Sequence, residues 1–202
     1  MATKKVASKG DLSGRIAAAK TKTAALEKYS DIMLDLETLD TAVTGVILSI
    51  GAVRFNENTL NDESFYRVIT IQSNLDEHRT ISPSTLRWWL EQEAKAKAVF
   101  NDKSAVPLGQ ALDEFREWIG ADSDFVRVWG NGSDFDCSMV AHAYGQQGAP
   151  WRFFNTRCFR TVKSMELAKK VPKPANAGAH NALFDAVAQA QHLQAIWKAG
   201  AV

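Results

Sequence analysis

Two cysteines, Cys137 and Cys158, are all that the 202 residues contain. That is too few for a disulfide framework or an all-cysteine zinc site, and neither belongs to a Cys-x-x-Cys pair. A reducing, cytoplasmic setting is therefore expected. Long apolar runs are also missing: none approaches the roughly 18 residues that a membrane-spanning helix needs, so no membrane partner is expected. The first thirty residues hold no apolar stretch of the secretory kind and only one arginine, Arg15, which argues against a signal or transit peptide. Neither sign of charge is in overall excess, the formal net charge being +1.

That balance hides a segregation. Residues 1–30 carry Lys4, Lys5, Lys9, Arg15, Lys20, Lys22 and Lys28 against only Asp11 and Glu27, which leaves the rest slightly acidic. A basic arm over 1–28 could touch phosphates without specifying a sequence, since counterion release rewards any lysine near a polyanion. Equally, it could serve only as a solubilising tail. The remaining length, 29–202, suits one domain with a single core.

That domain is organised around Ile32-Met33-Leu34-Asp35-Leu36-Glu37-Thr38. As a strand, this run puts Asp35 and Glu37 on one face and Ile32, Leu34 and Leu36 on the other. Two carboxylates held side by side raise each other's pKa unless a cation or donor sits between them. The pair thus asks for a metal, although taken alone it could also be a solvated strand end.

Residues 45–55 are apolar on both faces, as a central strand should be, and 64–71 alternate as a third strand. Ser82-Pro83 opens a helix in which Leu86, Trp89 and Leu90 share a face, with Trp88 off that stripe. For the two tryptophans, core packing competes with a stacking role against a base. A second helix follows with Leu108, Leu112, Phe115 and Ile119, closed by Gly120. A short strand over 125–129 leads to Gly130-Asn131-Gly132-Ser133-Asp134-Phe135-Asp136, where Ser133 or Asp134 is the expected helix cap and Asp136 a third functional acid. Residues 151–173 interleave rings and cations, a mixture that suits phosphate contact as well as it suits an amphipathic surface helix. A loop over 171–178 precedes His180-Asn181, with Asn181 as N-cap of a helix whose core face is read as Leu183, Val187, Ala190, Leu193 and Ile196. His180 and Asp185 can then face one cleft.

The ordered set Asp35-Leu36-Glu37-Thr38, then Asn131 to Phe135-Asp136, then His180 five positions before Asp185 resembles the DEDDh family of 3′→5′ exonucleases over about residues 30–200. Thr85-Leu86-Arg87-Trp88-Trp89-Leu90 and the runs 128–136 and 151–157 are similar to its small phage and bacterial branch, which includes T-even phage exodeoxyribonuclease A and mycobacterial ribonuclease AS. The resemblance implies an α/β fold of ribonuclease H-like type, a mixed five-stranded sheet with helices on both faces. It implies two Mg²⁺ or Mn²⁺ ions held by Asp35, Glu37, Asp136 and Asp185, ions that hard carboxylate oxygens favour. It makes His180 the base that takes the proton from the attacking water, a role that histidine's ordinary titration range suits. The partner implied is nucleic acid with a free 3′ end, cut to nucleoside 5′-monophosphates, in a bacterial or phage-infected cell; a homodimer is a further expectation. Beside these motifs, Thr38, Leu39, Asn131, Phe135, Trp88, Arg157 and Arg160 are the candidates for holding substrate. Single-stranded DNA is slightly favoured as substrate. The alternatives are an exoribonuclease that trims RNA and a module that binds nucleic acid without cutting it.

Overall fold

The acid-bearing run is a strand, β1 (Asp31–Thr38), in the middle of a five-stranded sheet. The computed structural model describes residues 29–120, 125–176, 178 and 180–201, so the basic arm over 1–28 lies outside the described residues. Strand β2 (Ile47–Phe55) is antiparallel to β1, and β3 (Leu60–Val68) is antiparallel to β2. On the other side, β4 (Arg127–Gly130) runs parallel to β1, and β5 (Thr156–Cys158) parallel to β4. The order β3-β2-β1-β4-β5 makes a mixed five-stranded sheet, as the family resemblance implied. All nine residues of β2 are buried, as its two-sided apolar character required.

Among the described residues six α-helices complete the fold: α1 (Ile71–Asp76), α2 (Pro83–Glu91), α3 (Leu108–Ile119), α4 (Asp136–Ala143), α5 (Phe159–Lys163) and α6 (Ala182–Lys198). Ile32, Leu34 and Leu36 join the apolar residues of α3 and α4 in one core, while Met33 joins those of α5 and α6 in a second. Alternation along β1 therefore turns Asp35 and Glu37 toward the α6 side. The register of β1 on β4 is pinned by Asp31, which is buried: its carboxylate accepts from Arg127 Nε at 2.8 Å and Nη2 at 2.5 Å, and from Trp129 Nε1 at 2.7 Å.

Three expectations about elements need correction. The third strand covers 60–68 rather than 64–71, and the chain from Ile71 is α1. This helix is fixed by Asn74, whose amide accepts from Ile47 N–H at 3.0 Å and donates to Ile47 O at 3.1 Å and Thr70 O at 3.0 Å. On α2 only Trp89 is buried; Leu86 and Leu90 are exposed, and Trp88 is 40% exposed. Trp89 Nε1 donates to Thr38 O at 2.8 Å, which ties α2 to the end of β1. The buried face of α6 is Ala182, Ala186, Ala190, Leu193 and Ile196, while Leu183 and Val187 are only partly covered. Small side chains let this helix lie close on the sheet.

Candidate active site

Pairing of β1 with β4 ends at Leu34 opposite Gly130, so Asp35 to Thr38 extend beyond the last residue of β4. Such a carboxyl end of parallel strands is where open α/β sheets leave a crevice. The chain after β4 turns back into it. A side chain at Gly130 would stand 3.1 Å from Asp136 Cβ, so glycine there lets the first residue of α4 sit against the strand end. The expected cap is absent: Phe135 occupies the N-cap position with no side-chain bond, and Asp134 is exposed. Asp136 is buried.

The third approach is from α6. Asn181 caps it as read, its side chain accepting from Leu183 N–H at 3.1 Å and Phe184 N–H at 3.2 Å. Asp185, in the first turn, accepts from His180 N–H at 2.9 Å and from Asn176 Nδ2 at 2.5 Å. Each of Asp35, Glu37 and Asp185 offers a carboxylate oxygen within 4.8 Å of the other two. Residues 150 positions apart thus meet in one acidic cluster.

The electrostatics are those of crowded, desolvated carboxylates. Burial holds Asp35 well above the ordinary carboxylate range, and Asp136 and Glu37 raise it further, against a hydrogen bond from Gln189 Nε2 at 2.8 Å. Burial also pushes Glu37 up to about 8, with the charges of Asp185 and Asp136 adding to it. For Asp136 burial raises the value to about 7, partly offset by the backbone amides of Leu36, Asp136 and Asn131 and by the charge of Arg160.

His180 adopts a left-handed backbone, φ 63°, rare for a residue with a Cβ. That turn gives its N–H to Asp185, while its ring packs edge-on against Trp88 at 4.9 Å. The ring lines a cleft of about 370 Å³ together with Glu37, Ser49, Tyr66 and Asn181. Trp89 is packed in the core, while Trp88 is a partly exposed ring set edge-on against His180.

The other candidates are spread more widely. Thr38 follows Glu37 and its hydroxyl donates to Asp40 O at 2.9 Å. Leu39 is 2% exposed and packs with Val46 and Trp89, so its side chain serves the core rather than the cleft surface. Phe135 packs partly against the α3 and α4 core, and Asn131 Oδ1 is a buried acceptor with no partner among the described residues. The Arg160 guanidinium lies where a side chain on Gly132 would meet it at 3.0 Å, close to Asp136. Arg157 Nη1 instead donates to Phe154 O and Thr156 O within its own turn. Sequence reasoning missed Gln189, Asn176 and Tyr66, whose hydroxyl accepts from Asn181 Nδ2 at 3.2 Å. Gln189 had a readable signal: four positions after Asp185, it shares that residue's helix face.

A central acid-bearing strand in a mixed sheet, with further acids delivered by two helices at its carboxyl end, makes an α/β fold of ribonuclease H-like type with an acidic site. A sequence profile described as the 3′-5′ exoribonuclease Rv2179c-like domain matches residues 30–197, and the chain belongs to that family. Among solved structures, Pop2p of S. pombe in a Mg²⁺- and Mn²⁺-bound form is similar at TM-score 0.60 and 12% identity, over 90% of this chain and 88% of that one. The RNase domain of yeast Pop2 gives 0.62 and 10%, over 92% and 83%. Exonuclease X, solved with 5′ overhanging duplex DNA, gives 0.53 and 14%, over 84% and 93%. At such identities these likenesses speak for the fold. A search of curated protein sequences finds no significant match.

Proposed function

We propose that the protein removes nucleotides one at a time from the 3′ end of single-stranded nucleic acid, releasing nucleoside 5′-monophosphates. The observation that carries this reading is the convergence of Asp35, Glu37 and Asp185 within 4.8 Å, beside buried Asp136. The donor set fits a pair of hard divalent cations such as Mg²⁺ or Mn²⁺: it is all carboxylate, mutually repelling and desolvated. Asp35, Glu37 and Asp185 would hold one ion, and Asp35 with Asp136 the other. When bound, such ions supply Lewis acidity at the reacting phosphoryl group.

The chain's own groups do the rest. The His180 ring, held against Trp88 at the cleft beside Glu37, takes the proton of the attacking water as its oxygen bonds to phosphorus. The bond to the 3′-oxygen of the preceding nucleotide breaks, and that oxygen takes a proton from solvent, leaving the strand with a new 3′-hydroxyl end. Gln189 fixes the rotamer of Asp35, and the His180 and Asn176 donors fix that of Asp185. Trp88, 40% exposed, offers a face on which the terminal base can stack.

The sequence leaned toward DNA; the description of the matched family supports RNA as the first substrate to try. The test is release of mononucleotides from 3′-labelled and 5′-labelled single-stranded DNA and RNA of one sequence, with Mg²⁺, Mn²⁺ or EDTA. Immediate release from the 3′ label, abolished by EDTA, is the expected result, with RNA the faster polymer. Label first appearing as mononucleotide from the 5′ end would overturn the polarity, and faster DNA would reverse the substrate assignment. His180→Ala should lower kcat by about 10² to 10⁴ and flatten the acid limb of the pH–rate profile. An unchanged profile would remove His180 as the base.

A further inference from the structure

Apart from the acidic cluster, the described residues form a basic pocket of about 490 Å³, bordered by Arg160, Lys163, Lys169, Lys170, Lys173 and His192. Among the described residues no acid lines it. In a chain of net charge +1 this is a local concentration, not a share of a general excess. Lys169 also pairs with Glu166, outside the pocket, at 2.7 Å. Lys163 stands over the Phe159 ring at 5.3 Å, which orders its ammonium group. Burial lowers its pKa, and the neighbouring charges of Lys173 and Arg160 lower it further. Cations gathered this closely oppose one another until an anion enters.

The pocket is joined to the acidic cluster in two ways. Arg160 belongs to both, since it borders the pocket and its charge acts on Asp136. Along α6, Asp185, Gln189 and His192 follow at helical spacing on one face. The first is in the cluster, the second donates to Asp35, and the third holds the pocket wall through Nε2 and Val171 O at 3.3 Å. Two helical turns, about 10 Å, separate its ends. One strand can therefore lie across both.

We infer that this pocket binds the phosphodiester backbone of the substrate strand upstream of its reacting 3′ end, and so sets affinity for the polymer. The inference rests on the exonuclease reading for the word substrate. The pocket's chemistry, several cations around a partly enclosed space, stands apart from it. Backbone contact of this kind carries no base specificity, which suits an enzyme that must hold the strand again after every cut.

The experiment uses the full chain with Lys163→Gln, Lys170→Gln and Lys173→Gln combined, and measures anisotropy of a labelled single-stranded oligonucleotide in EDTA, where nothing is cut. The triple variant should bind at least about tenfold more weakly at low salt, and the slope of log K against log salt should fall by about 2, three phosphate contacts at roughly 0.7 each. With Mg²⁺ present, its loss in kcat/KM should be larger on the oligonucleotide than on an aryl ester of a nucleoside 5′-monophosphate, whose single phosphate is the reacting one. Unchanged oligonucleotide affinity and slope would overturn the inference. So would an oligonucleotide unaffected while inorganic triphosphate loses its binding, since the pocket would then serve a free polyphosphate. Weakened binding by a protein whose wild type cuts no nucleic acid would retain the pocket and refute the exonuclease reading. Cutting that survives with binding unchanged would do the reverse.

Discussion

Asp35→Asn should abolish hydrolysis and at the same time make the metal-free protein more stable. The two signs come from one cause. Asp35 is desolvated and surrounded by Asp136, Glu37 and Asp185, with Gln189 as its hydrogen-bonding donor. An asparagine has the same shape and its Oδ1 can still accept from Gln189, while the repulsion disappears. Activity should fall by more than about 10³-fold, equivalent to about 4 kcal/mol of transition-state stabilisation. The melting temperature in EDTA at pH 8 should rise by about 2–4 °C per kcal/mol of relief. A variant that merely misfolds would lose both.

The pH dependence follows with the same sign. Folded pKa values of Asp35 and Glu37 lie above their unfolded ones, Glu37 moving from 4.5 to about 8. Between those limits the folded, metal-free protein binds more protons than the unfolded chain. Their stabilising contribution is complete below the unfolded values and is lost as pH climbs toward 8. Thermal scans of the wild type in EDTA should therefore decline from pH 5 to pH 8. Mg²⁺, binding only the folded state, should restore most at the alkaline end and little in Asp35→Asn. A wild type equally stable in EDTA at both pH values would mean that the cluster is already balanced without a cation.

What sequence could reveal here depended on whether a signal was periodic. Alternation in β1 fixed the common face of Asp35 and Glu37, and the polar side chain before the α6 run placed Asn181 as its cap. The order of the three acidic motifs identified the family. Helix α1 was invisible because six residues are under two turns, too short for a stripe, and it is held by one buried asparagine rather than by an apolar face. The buried face of α6 was misplaced because its first half is alanine, whose small side chain gives little contrast with the polar face. In α2 the reading put Leu86 and Leu90 inside, whereas the helix lies on the domain's rim with Trp89 alone inserted. Gln189 and Asn176 hold the acids by hydrogen bonds, and a hydrogen-bonded polar residue looks in sequence like a solvated one.

Gly51→Ala should inactivate the enzyme although glycine contributes no functional group. Gly51 pairs with Asp35 on one side and Tyr66 on the other, so it is level with the acidic cluster in the sheet. A Cβ there would stand 2.2 Å from the Ala182 carbonyl carbon and the Leu183 nitrogen, and 2.5 Å from Ala182 O. Those are backbone atoms of the first turn of α6, which cannot rotate aside as a side chain would. The helix end must withdraw by about 1 Å, and it carries Asn181 and Asp185, while His180 is tied to Asp185 by its amide. Overpacking of this kind costs about 1–3 kcal/mol, and a displacement near 1 Å at a reacting centre can cost about 10²-fold in rate. Gly109→Ala is the matched control: it lies in α3 with no heavy atom within 4 Å of the added carbon, and should leave the rate unchanged while adding up to about 1 kcal/mol of stability. Full activity and an unaltered melting temperature in Gly51→Ala would mean that the seating of α6 on β2 does not position Asp185. Loss of activity with most of the stability retained would show that the site depends on an empty space in the sheet as much as on its acids.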